Sequence, residues 1–287
     1  MTAVPSPSLT GLVDSHCHLD RLKLDAYGGD FDALMAATAA AGVSHMLCIG
    51  VDLASFPQVR QLAECWPQVF ASVGVHPLYR NAEAATLMEL KTLSAHPKVV
   101  AIGETGLDYL DDPVDAKEQQ QRFATHILAA RETGLPLIVH TRGAREDTLA
   151  MLREYGGGKV RGVLHCFTED LATAEAAIKL GFYISISGIV TFRNADALRD
   201  VVRALPLERL LIETDSPWLA PVPYRGKQNE PRFVSEVAQA VAALQGISPA
   251  ELASATRKNF FRLFIKACEW QADHCAAAKR RPCHSDG

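Results

Sequence analysis

The chain lacks a long apolar run, a surplus of positive charge and a recognisable leader, and each absence removes a class of protein. No stretch approaches the ~18 uninterrupted apolar residues of a membrane helix, so no spanning segment is expected. The opening residues MTAVPSPSLTG hold neither a basic region nor an apolar core, so they do not read as a secretory signal. Residues 1–11 are expected to be a disordered lead-in. With 29 Lys and Arg against 33 Asp and Glu, the formal net charge is -4. Proteins that grip long nucleic acid by their surface are usually basic, so any such grip here must be local. The chain has no internal repeat and no linker that would divide it. Its seven cysteines are odd in number. Cys17, Cys48, Cys65 and Cys166 sit in apolar-rich segments, which favours reduced buried thiols over a disulfide framework. The cytoplasm is the expected compartment.

What the chain does have is alternation. Short apolar or β-branched runs occur at 12–19, 45–51, 70–76, 99–104, 136–141, 162–167, 182–188 and 209–214. Between them lie helix-compatible stretches at 31–41, 84–95, 116–133, 147–155, 171–180 and 195–205, several ending on glycine, a common helix stop. The stretch after Ala54 is a weaker helix candidate because of Pro57. Strands that each lead into a helix imply parallel βα units. Eight units over roughly 250 residues suit a single-domain α/β fold, a (β/α)₈ TIM barrel. A doubly wound sheet is the alternative, because periodicity cannot say whether a sheet closes.

The chemistry-bearing residues favour closure. His16 and His18 end the first run, His76 the third, Glu104 the fourth, His140 the fifth and His165 the sixth, while Asp215 follows the eighth. A barrel gathers the C-terminal ends of its strands on one face, where active sites are built; a doubly wound sheet would not bring six strand ends to one point. Residues two apart on a strand share a face, so His16 and His18 point together and Cys17 away. The carboxylate of Glu104 has two oxygens and can bridge two cations, as two-metal hydrolysis requires. Mixed imidazole and carboxylate donors suit Zn, Mn, Fe or Ni, with Mg as a further activating ion. Asp215 can both ligate and take a proton from an activated water. Asp108, four residues on from Glu104, is not expected to ligate; support of the site, holding of the loop, helix capping and turn formation all remain open for it. Cys166 is expected to face the helix layer.

For substrate contacts the sequence offers His76, together with cations in the loops: Arg142 next to His140, Arg193 after the seventh run, and Arg225 and Lys227 after the eighth. These would meet a phosphate. His45, His96 and His126 are read as structural.

The ordered set DSHCHLD, GVHP, GETGLDY, VHTR, LHCF and ETDSPWL, from about Leu12 to Phe264, resembles the TatD family of metal-dependent deoxyribonucleases. The resemblance implies an amidohydrolase-type barrel, two divalent metal ions and phosphodiesterase action that includes 3′–5′ exonuclease activity on DNA, with RNA a further substrate. Its metal ligands correspond to His16, His18, Glu104, His140, His165 and Asp215. The match of PVPYRGKQNEP adds Asn229 to Arg225 as a substrate contact. Two other readings keep this site. In one the same chemistry is turned on a carboxylic ester such as D-aminoacyl-tRNA, or on an amide; in the other the chain is a non-catalytic metal-bearing scaffold, which the intact ligand set disfavours. The hydrolase domain is expected to span 12–264. Residues 265–287, with Cys268, Cys275, Cys283, His274 and His284, match no standard zinc module and read as a disordered tail or frayed helix.

Overall fold

The structure is a computed structural model that describes residues 11–79, 85–110 and 115–279. The lead-in up to residue 10 and the last residues, 280–287, lie outside the described part. Eight strands appear where the apolar runs predict them: β1 Leu12–Cys17, β2 Val43–Cys48, β3 Val69–Val73, β4 Val99–Asp108, β5 Leu137–Arg142, β6 Gly162–Leu164, β7 Phe182–Ile186 and β8 Leu210–Ile212. All pair in parallel in the order β1 to β8. The sheet curls into a nearly closed barrel ringed by helices, which excludes the doubly wound alternative.

The seam between β8 and β1 is different from the rest. Among the described residues no ladder joins them, and polar side chains and loop backbone do so instead. Asp14 accepts from the backbone N–H of Thr214 at 2.9 Å and from its hydroxyl at 2.5 Å. Ser15 donates to the Ile212 carbonyl at 3.0 Å, Asp215 N–H to the His16 carbonyl at 2.9 Å, and His18 N–H to Ser216 at 2.8 Å.

The helices are α1 Phe31–Ala40, α2 Phe56–Cys65, α3 Leu87–Ser94, α4 Ala116–Thr133, α5 Arg145–Gly156, α6 Leu171–Lys179, α7 Asp196–Ala204, α8 Val234–Gln245, α9 Pro249–Leu263 and α10 Ile265–Lys279. Their ends follow local chemistry. Asp115 caps α4 by accepting from the N–H groups of Lys117 and Glu118, and Thr86 with Glu89 forms a capping box on α3. Pro57, which weakens the sequence case for α2, sits in its first turn, where a missing N–H costs nothing. None of the described helices is long and apolar enough to cross a membrane.

The core has two layers, as strand alternation requires. One lies between barrel and helices; the other fills the barrel, with Val13, Leu47, Phe70, Ile138, Val163 and Leu211 meeting Phe260 and Phe264 from the α9 side. The tail joins this inner layer. Ala267 is fully buried, and the Trp270 ring lies edge-on to Phe70 with centroids 5.9 Å apart. The Lys98 ammonium sits 3.7 Å from the centre of the Trp270 ring. The first turns of the tail are therefore a packed helix across the N-terminal end of the barrel, where the sequence led us to expect fraying.

Candidate metal centre

At the opposite end, the strand C-termini open into a cavity of about 620 Å³. Its floor is organised by Glu104. One carboxylate oxygen lies 2.7 Å from His165 Nε2 and 3.4 Å from both His76 Nε2 and His140 Nδ1. The other lies 3.4 Å from His16 Nε2. Asp215 faces the same group from the loop after β8, its Oδ1 3.6 Å from His16 Nε2 and 3.5 Å from His18 Nε2. All six expected ligands thus converge. His76, expected to serve substrate, stands beside them.

The backbone explains how Glu104 reaches this point. Gly103 and Gly106 flank it in the GETG motif, both at positive φ, and a Cβ on Gly106 would overlap the His140 carbonyl. Only glycine lets β4 lie this close to β5. Cys17 turns away, its thiol toward the Leu47 carbonyl, as strand alternation predicts. Cys166 does not follow that expectation: it lies beyond the end of β6 with φ +42, borders the cavity, and its thiol sits 3.1 Å from the Ser187 hydroxyl. Strand alternation stopped applying where the strand ended.

The donor set fits divalent cations. Both ring nitrogens of His16, Nδ1 of His18 and Nε2 of His165 are buried without a hydrogen-bond partner, a costly arrangement for a folded protein unless something else engages them. The 2.7 Å approach of His165 to Glu104 is close but not aligned as a hydrogen bond. His16, His18 and Glu104 offer ligand atoms within 4.8 Å of one another, as do His76, Glu104 and His140. Burial alone would push the Glu104 carboxyl up, yet His165, His76 and His16 together hold it well below the usual range. Burial likewise opposes charge on His165, but Glu104 and Glu213 hold its pKa well above that of free imidazole. His16 is pulled down, by burial first and by His165 next. Asp215 is pushed up by burial but brought below its usual value by His18, His16 and His165. The centre is a set of carboxylates kept charged by the groups around them.

Two supporting carboxylates stand behind it. Asp108 Oδ2 lies 3.0 Å from His140 Nε2, which leaves Nδ1 toward Glu104. Glu213, fully buried, accepts from the Cys166 N–H at 2.7 Å and lies 3.3 Å from His165 Nδ1. The sequence reading missed Glu213: it stands directly after β8, two residues before Asp215, and the left-handed backbone at Asp215 (φ +58) breaks the alternation that would relate the two.

The expected substrate contacts divide. Arg142 borders the cavity, 3.7 Å from Asp108. Arg21 and Tyr79, hydrogen-bonded to each other, also border it and were not foreseen. Arg193 is exposed and outside the cavity wall. Arg225 sits over the Phe192 ring, its Cζ 3.7 Å from the ring centre, also outside that wall. Asn229 is buried and donates to the carbonyls of Thr214 at 2.8 Å and Trp218 at 2.6 Å, so it holds the loop that carries Asp215. His45, His96 and His126 all lie away from the centre, as expected.

Comparison with known proteins shows the family and the fold. The family model described as "TatD related DNase" matches residues 13–265. The Escherichia coli K12 protein YcfH, described as an uncharacterized metal-dependent hydrolase, is 51% identical over 253 residues, covering 88% of this chain and 95% of its own. The Erwinia tasmaniensis protein named 3'-5' ssDNA/RNA exonuclease TatD is 35% identical over 245 residues, covering 83% and 95%. The crystal structure of YJJV, a TatD homolog from Escherichia coli K12, superposes with a TM-score of 0.82 at 30% identity over 90% of this chain and 99% of that one.

Proposed function

This chain belongs to the TatD-related DNase family of metal-dependent hydrolases, and from that premise we propose that it is a phosphodiesterase removing nucleotides from the 3′ end of DNA, and of RNA. The observation that carries the reading is the Glu104 carboxylate, shared among four imidazoles at the cavity floor with Asp215 beside it. His16, His18, Glu104, His140, His165 and Asp215 would hold two divalent cations, of the Zn, Mn, Fe or Ni type or Mg. Such ions supply Lewis acidity at a phosphoryl oxygen and make water acidic enough to be activated near neutral pH.

The side chains do the rest. Asp215, ionised at neutral pH and open to the cavity, accepts the proton of the attacking water at its carboxylate. Glu104 stays charged and fixes the imidazoles around it. Asp108 and Glu213 orient His140 and His165 so that the opposite ring nitrogen faces the centre. Arg142 offers a cation to a phosphate at the cavity rim.

The deciding experiment is a turnover screen of the metal-loaded full chain. Substrates are 3′-labelled single-stranded DNA and RNA, a chromogenic phosphodiester and D-aminoacyl-tRNA. Release of the label as the terminal mononucleotide is expected. Turnover confined to the aminoacyl ester would overturn the proposal in favour of ester hydrolysis.

A further inference from the structure

We propose that Trp218 is the stacking platform for the terminal base of the substrate, an aromatic subsite beside the bond to be cut; the proposal rests on the phosphodiesterase reading above. Three residues after Asp215, Trp218 borders the cavity with 48% of its surface exposed. The other two tryptophans, Trp66 and Trp270, are partly buried against the fold. An indole left in water forgoes a large hydrophobic gain. Its protein contact here is edgewise: the His18 ring meets it at 70° with centroids 5.0 Å apart, an arrangement that does not stack the two faces.

The indole is exposed on a fixed support. Trp218 N–H donates to the Asp215 carbonyl at 3.0 Å, and its own carbonyl accepts from Asn229 at 2.6 Å. The next residue, Leu219, has φ +55. A Cβ at Gly188 would overlap the Leu219 carbonyl, and Val222 N–H donates to the Thr191 hydroxyl at 2.9 Å. The loops after β7 and β8 are thus packed into one ledge, which presents Ile189, Trp218 and Leu219 to the cavity. A rigid aromatic ring loses little conformational freedom on binding.

The chemistry of the occupant follows from the layout. The ledge is apolar and aromatic, the adjoining floor gathers imidazole and carboxylate donors suited to divalent cations, and Arg142 lies on β5, across the barrel from the seam. A flat ring joined to a phosphodiester matches all three. Every base has a π-face, so such a platform accepts any of them.

Binding is measured with metal-loaded protein carrying Asp215→Asn, and steady-state cleavage with Asp215 intact. The probes are single-stranded oligonucleotides ending in a normal nucleotide or in an abasic tetrahydrofuran residue. Trp218→Ala is expected to raise Kd and KM for the normal end by about 5- to 100-fold, with Trp218→Phe recovering most of the loss. The abasic end should weaken binding to protein with Trp218 by a similar factor and to Trp218→Ala hardly further. Equal abasic penalties with and without Trp218 would overturn the platform, as would unaltered binding by Trp218→Ala or no binding at all. Cleavage without this coupling overturns the platform alone. Coupling without cleavage upholds the platform and overturns the phosphodiesterase reading.

Discussion

Glu213 and His165 face each other at 3.3 Å inside the barrel wall, and the same carboxylate oxygen takes the N–H of Cys166. That pairing turns the far nitrogen of His165 toward Glu104 at 2.7 Å. Carboxylates behind metal-binding imidazoles typically contribute 10- to 100-fold in metal affinity. Glu213→Gln should therefore weaken metal binding by about that factor, and excess metal should restore turnover. Titration of demetallated protein followed by calorimetry measures it; wild-type affinity in the variant would remove Glu213 from the centre.

Asp215→Asn separates proton transfer from metal binding. Asparagine keeps the size and one oxygen donor but cannot accept the proton at neutral pH. Single-turnover cleavage is expected to fall by about 10²- to 10⁴-fold, the usual worth of a positioned base. Metal content on the same samples should stay near wild type. Near-normal cleavage with full metal would assign the base elsewhere.

The arginines give a contrast within one experiment. Arg142 borders the cavity, whereas Arg225 is committed to Phe192 and Arg193 points to solvent. Arg142→Ala should raise KM for an oligonucleotide several-fold, more so at low salt, where charge steering is strongest. Arg193→Ala and Arg225→Ala should change kcat/KM by less than about twofold, in keeping with surface substitutions away from a site. The reverse ranking would mean that the loops move onto the substrate.

Truncation after Phe264 should cost stability and spare chemistry. It removes buried Ala267 and uncovers Phe70, while the Lys98 ammonium loses the Trp270 face. Trp270 is only partly buried, so its loss falls toward or below the low end of the ~3–5 kcal/mol of a core aromatic, a drop in Tm of roughly 2–8 °C. Turnover at 25 °C should remain close to wild type, because α10 lies at the end of the barrel away from Glu104. An unchanged Tm would show that the helix adds nothing.

Acid should destabilise the fold through His126. Its ring accepts from the Val75 N–H at 3.0 Å and lies 2.8 Å from the Arg122 carbonyl, and burial pulls its pKa down to about 4. The unfolded chain takes a proton near pH 6.5 and the folded one near 4. This contribution is therefore complete above about pH 6.5 and is lost as pH falls from there toward 4, on the order of 3 kcal/mol in all. Urea unfolding at pH 7.5 and 5.0 should show it, and His126→Phe should flatten the difference. An equal pH dependence in both proteins would move the titration elsewhere, with His45, also pulled down to about 4, the next group to examine.

Most of the barrel was legible because its strands are buried on both faces and so appear as short β-branched runs. The ligands were legible because each stands where such a run ends. The rest depended on contacts between distant segments. Asn229 in a loop signals polarity, and only the fold shows that its amide is spent on the carbonyls of Thr214 and Trp218. Arg225 signals charge, but its guanidinium finds Phe192 at a distance of 33 residues in sequence. Trp270 could be read as a tail residue because the partners that bury it, Phe70 on β3 and Lys98 just before β4, lie far away in sequence.

The unladdered join between β8 and β1 has a consequence for how this molecule comes apart. A cylinder fails first at its weakest closure, and here that closure runs through the residues that would grip the ions: His16 and His18 on one bank, Asp215 on the other. Cations held across it would act as a clasp between the first and last strands of the chain. Loss of metal would then loosen the whole circumference as well as silence the chemistry, so that catalytic competence and resistance to opening would be gained and lost together.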